Sequence, residues 1–210
     1  DIMRDGIDTG TLYTVASGNG GIDLGLEHAA GRFWFPQQAD NDYQLVVGAT
    51  TVDDTLASFS NFGATTVDLS APGVRYLSTN VTGSYSPFGG TSAAAPVVAG
   101  VAGVLTSRYP GTFRGHPLLL AEHIRRSSER IPAHTGRTIT GARADLQQGL
   151  DTTSFPLPTF AAYLDESRRL NDLAMLNTHD VDFIDADGDR HIEYLLEVFG
   201  GPFEDQADPR

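Results

Sequence analysis

The run of small apolar residues from Ser92 to Tyr109 limits the possible folds of this chain more than any other segment. It is rich in Ala and Gly and is apolar nearly all round, which predicts a buried helix approached closely by backbone on several sides. Short apolar segments at 12–16 and 45–50 predict buried strands, and the pattern at 117–128 predicts an amphipathic helix. Strands that alternate with helices in this way predict an α/β layer structure.

The net charge and the absence of cysteine narrow the range of functions. The 210 residues carry a formal net charge of -13, so the surface repels nucleic-acid phosphates and anionic lipid. Without cysteine there are no disulfides, no thiol nucleophiles and no Cys-ligated zinc. No apolar run reaches the roughly 18 residues of a membrane span. We expect a protein with no nucleic-acid partner and no membrane span.

The segments between the predicted strands are assigned from their turn residues. Residues 22–43 and 51–64 are predicted as loops, and 71–73 (Ala-Pro-Gly) as a turn. Residues 67–69 and 74–79 are predicted as short strands. The composition changes near Asp151, where a proline-containing linker begins. We therefore predict two parts, a domain over 1–150 and an appendage over 151–210 with a helical, acidic-loop character.

Ser92 is the candidate nucleophile. A serine at the start of a buried helix lies where unpaired backbone N–H groups converge, and the positive end of the helix dipole favours developing negative charge there. The small residues that follow Ser92 leave room for a substrate carbonyl. A Gly-Thr-Ser sequence alone fits a simple helix N-cap better, so the specificity comes from the longer string that runs to Gly100.

That string resembles the nucleophile motif of the subtilisin-like serine peptidases (subtilases), G-T-S-x-A-x-P-x-V-A-G. The matching residues are Gly90, Thr91, Ser92, Ala94, Pro96, Val98, Ala99 and Gly100. Two other segments resemble the family in the same order: 15–19 (VASGN) and the block 58–73 (SFSNFG…VDLSAPG). The resemblance covers about residues 1–150. It implies a three-layer subtilisin-like α/β fold with a mostly parallel sheet, present here in part as the C-terminal half of the catalytic domain.

The resemblance implies serine endopeptidase chemistry through an acyl-enzyme, with polypeptides as substrates. Ser92 would attack the peptide carbonyl, and the Asn19 side-chain amide together with the Ser92 N–H would stabilise the oxyanion. In isolation Asn19 is better explained as a turn residue, and only the paired motifs favour the oxyanion role. By the same resemblance, Ala16, Ser17 and Gly18 line one wall of the specificity pocket. The family also implies a secreted or extracellular monomer.

The aspartate and histidine that activate the serine in this family are not found in this sequence. They come before the serine in the order Asp, His, Ser, and well before the asparagine, but only eighteen residues precede Asn19. His28 and the histidines after Ser92 lack the family's surrounding motif. We expect this chain alone to have negligible peptidase activity. Its start at Asp1 fits a processed or excised chain whose upstream part carries both residues.

The appendage contains a candidate calcium loop. Asp185, Asp187 and Asp189 stand at alternate positions, a spacing that curls oxygen ligands around a hard cation as in EF-hand-like loops. Glu197 is the candidate fourth ligand, although it lies one place later than in a standard loop. The sequence predicts structural calcium binding here, and the alternative is a solvated acidic turn.

Two other functions stay open from the sequence. The chain could belong to an inactive subtilase relic or binding module, which a parent protein without the upstream aspartate and histidine would favour. It could also belong to another serine hydrolase such as an esterase. The esterase motif G-x-S-x-G fails because residue 94 is alanine.

Overall fold

A computed structural model of the chain describes residues 10–32, 36 and 43–159. The strands are β1 (Tyr13–Ala16), β2 (Gln44–Thr50), β3 (Leu69–Pro72), β4 (Tyr76–Thr79), β5 (Tyr85–Phe88), β6 (Glu129–Arg130) and β7 (Ala142–Arg143). Within the described residues, five of them form one sheet in the order β1-β2-β3-β7-β6. Neighbouring strands among β1, β2, β3 and β7 pair in parallel, and β6 pairs antiparallel with β7. A separate antiparallel hairpin is formed by β4 and β5.

The helices lie around this sheet, and the longest is central to the packing. The helices are α1 (Leu24–Ala29), α2 (Thr91–Arg108), α3 (Pro110–Phe113), α4 (Pro117–Arg126) and α5 (Leu146–Leu150), with a 3-10 turn at Pro132–His134. Helix α2 packs across β1, β2 and β3 and also contacts α3, α4 and α5. The predicted α/β architecture with a mostly parallel sheet is confirmed.

Strand β2 is the centre of the core, because all seven of its residues are buried. A strand covered on both faces is typical of parallel sheets that have helices on their faces. Val46 packs with Leu24 of α1 and with Val67 on one face. Alternation along the strand directs Leu45 and Val47 to the opposite face. The predicted strand at 45–50 is therefore confirmed, extended by one residue.

A buried ion pair ties α4 to the sheet. Asp68 is 5% exposed, and its carboxylate accepts hydrogen bonds from the Val46 N–H (2.7 Å) and from Arg125 Nε (2.8 Å). The carboxylate thereby accepts from a backbone N–H that has no partner in the β2–β3 ladder, and the Arg125 guanidinium balances its charge. This contact fixes the amphipathic helix predicted at 117–128, which is observed at Pro117–Arg126.

The prediction that α2 is buried nearly all round is wrong. One side of the helix is buried, including Ala94, Val98 and Leu105. The other side is exposed among the described residues, and Val104 is 43% exposed there. The sheet and helices α3 to α5 cover only part of its circumference, and apolar composition alone does not tell which faces have a partner.

Two local predictions also need correction. Residues 22–43, predicted as loop, contain α1, whose N-cap Asp23 accepts hydrogen bonds from the N–H groups of Gly25 (2.9 Å) and Leu26 (3.3 Å). Residues 69–72 form β3, so the strand predicted at 67–69 and the turn predicted at 71–73 are both displaced along the chain. Pro72 is tolerated because it lies beyond the pairing of β3 with β7 at Ser70, so that its missing N–H leaves no gap in the ladder.

The predicted boundary near Asp151 stays a prediction. The described residues end at 159, and the appendage beyond this point lies outside them. In the described part of the chain, no helix has both the length and the apolar character needed to cross a bilayer.

Candidate active site

Ser92 lies in the first turn of α2, and its residue is exposed. Gly90, the N-cap, adopts φ +120°, a conformation that residues with a side chain rarely adopt. The N–H groups of Ala93 and Ala94 donate back to the Gly90 carbonyl (2.9 and 3.3 Å). Neither the N–H nor the hydroxyl of Ser92 has a hydrogen-bond partner among the described residues. A hydroxyl and an adjacent N–H are thus presented together at the positive end of a helix.

Asn19 is brought to the same helix start through Thr91. The Asn19 Oδ1 accepts hydrogen bonds from the Thr91 N–H (2.9 Å) and the Thr91 hydroxyl (3.1 Å). The Thr91 hydroxyl in turn accepts from the Gly18 N–H (3.1 Å). Because Oδ1 is engaged with Thr91, Nδ2 is the amide atom left to bind an oxyanion. It has no hydrogen-bond partner among the described residues.

Gly90 also sets how closely the amide approaches the helix. A Cβ added at Gly90 would lie 3.4 Å from both Nδ2 and Oδ1 of Asn19, so the carboxamide packs directly on this glycine. Sequence reasoning gave no separate role to Thr91. Its contacts show that it is the residue that joins the two candidate oxyanion donors.

The three residues predicted to line one wall of the specificity pocket lie at the carboxyl end of β1 and directly after it. Ala16 ends the strand and is partly buried. Ser17 is 1% exposed and donates its hydroxyl to the Asn61 carbonyl (3.0 Å), so its side chain points into the protein. Gly18 has φ +100°. The N–H and the carbonyl of Ser17 are also bonded inside the protein, to Val47 and Asn61, and the specificity wall itself stays a prediction.

No described histidine or carboxylate is hydrogen-bonded to Ser92. His28 is exposed on α1. His123 and His134 are buried and His116 is half-buried, and burial lowers the pKa of each of these three imidazoles from its ordinary 6.5. His123 Nε2 pairs with the Gly149 carbonyl at 2.8 Å. His123 is therefore bound in the interior and is not placed to act as the base for Ser92.

One serine–histidine pair does occur, away from Ser92. His134 Nδ1 lies 3.0 Å from the Ser70 hydroxyl, which also donates to the Ala142 carbonyl (3.1 Å). Because the hydroxyl gives its proton to that carbonyl, it accepts from the imidazole and is not activated as a nucleophile. Both residues are 0% exposed, so no substrate reaches them.

The predicted calcium ligands Asp185, Asp187, Asp189 and Glu197 lie outside the described residues. Among residues 10–32, 36 and 43–159, no group of three or more His, Cys, Asp or Glu side chains is arranged to hold a metal ion.

The exposed serine at a helix start and the neighbouring amide donor, carried by a parallel α/β sheet, have the arrangement expected of a candidate serine acyl-transfer site. The chain belongs to the subtilase family, whose model (Peptidase_S8) matches residues 2–151.

Individual relatives agree with this assignment. The chain is 40% identical over 102 residues to the alkaline elastase YaB of a Bacillus species, a match that covers 49% of this chain and 24% of the relative. It is 39% identical over 102 residues to a halolysin-like extracellular serine protease of Natrialba magadii, covering 49% and 17%. The crystal structure of a cold adapted subtilisin-like serine proteinase matches with a TM-score of 0.51 and 30% identity, covering 68% of this chain and 46% of that one. The chain thus spans about a quarter or less of these curated relatives' length.

Proposed function

We propose that the protein containing this chain is a serine endopeptidase that hydrolyses polypeptides through an acyl-enzyme. The observation that carries the proposal is the joining of Asn19 to the start of α2 through Thr91, beside the exposed Ser92. Ser92 Oγ attacks the peptide carbonyl carbon and loses its proton to a base, which passes that proton to the leaving amine. Water then cleaves the acyl ester.

The oxyanion of each tetrahedral intermediate accepts hydrogen bonds from Asn19 Nδ2 and the Ser92 N–H. Removing one such donor costs about 10²–10³ in kcat, a magnitude measured in a member of this same family. The base is not among the described residues that contact Ser92. We propose that an upstream part of the gene product supplies it, in the family order Asp, His, Ser. The chain alone is then inactive for lack of a base.

The test uses the complete gene product that contains this chain, assayed for casein hydrolysis and for labelling by a fluorophosphonate serine probe. Ser92→Ala should abolish labelling and lower kcat by a factor on the order of 10⁶, because a triad without its nucleophile loses about that much. Ser107→Ala is the matched control, since Ser107 is an exposed serine at the far end of the same helix.

Three results would redirect the proposal. Labelling that survives Ser92→Ala places the nucleophile elsewhere. Hydrolysis of a short acyl ester but not of casein supports an esterase. A gene product that neither labels nor cleaves is the inactive relic or binding module.

We further propose that the gene product is a secreted monomer stabilised by calcium in the loop of Asp185, Asp187 and Asp189 with Glu197. Secretion is supported by the similarity to a relative described as extracellular. The calcium loop is supported only by the spacing of its carboxylates. A calcium titration followed by Tm checks it.

A further inference from the structure

Asn61 is a buried residue, 3% exposed, that lies against the loop carrying Asn19. Its side-chain Oδ1 accepts hydrogen bonds from the N–H groups of Gly20 (2.9 Å) and Ile22 (3.2 Å). Its Nδ2 donates to the Ser17 carbonyl (2.9 Å). One side chain therefore binds the loop backbone on both sides of Asn19.

The backbone of Asn61 is bound to the same loop. Its N–H donates to the Gly18 carbonyl (2.9 Å), and its carbonyl accepts from the hydroxyls of Ser17 and Ser60 (both 3.0 Å). The Ser60 hydroxyl also accepts from the Ala49 N–H of β2 (2.9 Å). Asn61 thus connects the loop to the most deeply buried strand of the core, so it is a fixed support.

Gly18 shows how closely the two parts fit. Its φ of +100° is one that residues with a side chain rarely adopt, and a Cβ added there would lie 2.5 Å from Asn61 Nδ2. The residue before Asn19 is therefore held by sterics as well as by hydrogen bonds. Any shift of the Asn61 amide changes the space available to the backbone that precedes Asn19.

The chemistry of the contacts selects asparagine. The loop presents one carbonyl and two N–H groups to the same short side chain, so the partner needs a donor and an acceptor on one planar group. Aspartate has the same shape but no donor for the Ser17 carbonyl, and serine has a single oxygen.

We propose that Asn61 is a positioning residue for oxyanion stabilisation, which it serves by fixing the 17–22 loop so that the Asn19 amide stays at the start of α2. The proposal rests on the proposed peptidase function. No hydrogen bond joins Asn61 to Ser92 in the described part of the chain, so the effect passes through the loop to Asn19. An oxyanion donor displaced by a fraction of its bond length loses much of its effect on the transition state but little on substrate binding.

The catalytic test compares Asn61→Ala and Asn61→Asp with the unchanged complete gene product, using a soluble peptide substrate. Each variant should lower kcat by about 10- to 100-fold and change KM by less than about threefold, because displaced catalytic groups cost rates of this order. The matched control is Thr140→Val, which removes a buried hydrogen bond (Thr140 Oγ1 to the Asp68 carbonyl, 2.8 Å) far along the chain. Equal kcat losses in Asn61→Ala and Thr140→Val would mean that Asn61 is merely structural.

A double-mutant cycle with Asn19 decides whether Asn61 acts through it. In an Asn19→Ala background, Asn61→Ala should change kcat by less than about twofold, because the group that it positions is already gone. If Asn61→Ala still costs its full factor in that background, the positioning proposal is overturned.

Amide hydrogen exchange separates this proposal from the peptidase proposal. In Asn61→Ala the Gly20 and Ile22 amides should exchange at least about tenfold faster, whereas the strand amide of Val46 should exchange as it does in the unchanged protein. Unchanged protection at Gly20 and Ile22 overturns the role of Asn61 whatever the activity. If protection at these amides is lost but the protein shows no Ser92-dependent hydrolysis, Asn61 supports the loop but has no role in catalysis.

Discussion

Two segments approach the start of α2, and they are held in opposite ways. The 17–22 loop is fixed by partners distant in sequence, Asn61 at a separation of 44 residues and Thr91 at 72. The β4–β5 hairpin is fixed mainly by its own ladder and by the turn residue Asn80, whose Oδ1 accepts from the N–H groups of Thr82 (3.0 Å) and Ser84 (3.1 Å). The geometry of the loop therefore depends on the whole fold, whereas that of the hairpin depends on local contacts.

The two segments also differ in their anchoring. The hairpin carries side chains that are largely exposed, Leu77 at 71% and Tyr85 at 69%. The loop has Asn19 at the surface, but it begins at buried Ser17 and packs on buried Asn61. The comparison shows that Asn19 is carried by the more rigidly supported segment. An oxyanion donor is effective only when it is preorganised, so this is where rigid support matters.

The largest expected effect comes from comparing two glycines with positive φ, one in each segment. Gly18→Ala should lower the free energy of unfolding by about 3 kcal/mol, because unfavourable φ and a clash with Asn61 add together. Gly83→Ala in the hairpin should cost about 1 kcal/mol, because φ is +77° there but nothing lies within 4 Å of the added Cβ. Urea denaturation of both variants measures the difference. Equal costs would show that the contact with Asn61 contributes nothing.

A moderate effect is expected from acid. The pKa values of His116, His123 and His134 are lowered by burial, so the folded state binds fewer protons than the unfolded state. Their contribution to stability is complete above the ordinary 6.5 and is lost as the pH falls from there toward the folded-state pKa values. Protection of the Gly20 amide should fall over this range, while that of the Asn80 amide, which opens locally, should stay nearly constant. Parallel losses at both amides would contradict the difference between the segments.

The smallest effect is expected on the hairpin surface. Leu77→Ser and Tyr85→Ser should each change the free energy of unfolding by no more than about 0.5 kcal/mol, because both side chains are largely exposed. Leu69→Ala, which truncates a fully buried residue of β3, should cost about 2–5 kcal/mol under the same conditions. A loss above about 1 kcal/mol at Leu77 or Tyr85 would show that this side of the hairpin is covered in solution.

The sequence predicted the parts of the fold that have strong local signals. The apolar runs gave β1 and β2, and the G-T-S string gave the start of α2 within one residue. Helix α1 was missed because its signal is one capping aspartate, Asp23, in front of a segment only six residues long. The exposed side of α2 was missed because apolar composition does not reveal which neighbours are present.

Prediction of the site was limited in the same way, because local motifs were found and long-range contacts were missed. Ser92 and Asn19 were found from motifs, and the structure brings both to one helix start. Asn61 lies within the 58–73 segment, but the sequence gave it no role. Its importance comes from hydrogen bonds to residues 17 to 22, which no local sequence pattern indicates. The pair Ser60-Asn61 would have been a usable signal only with knowledge of those bonds.

The bond between Asn19 and Thr91 has a consequence for how the protein matures. It joins residues 72 positions apart, with strands β2 and β3 between them in the chain, and contacts of such long sequence separation are slow to form during folding. A nascent or half-folded chain therefore has the serine but not the pocket that stabilises negative charge. The candidate oxyanion pocket is therefore complete only when these distant segments have come together.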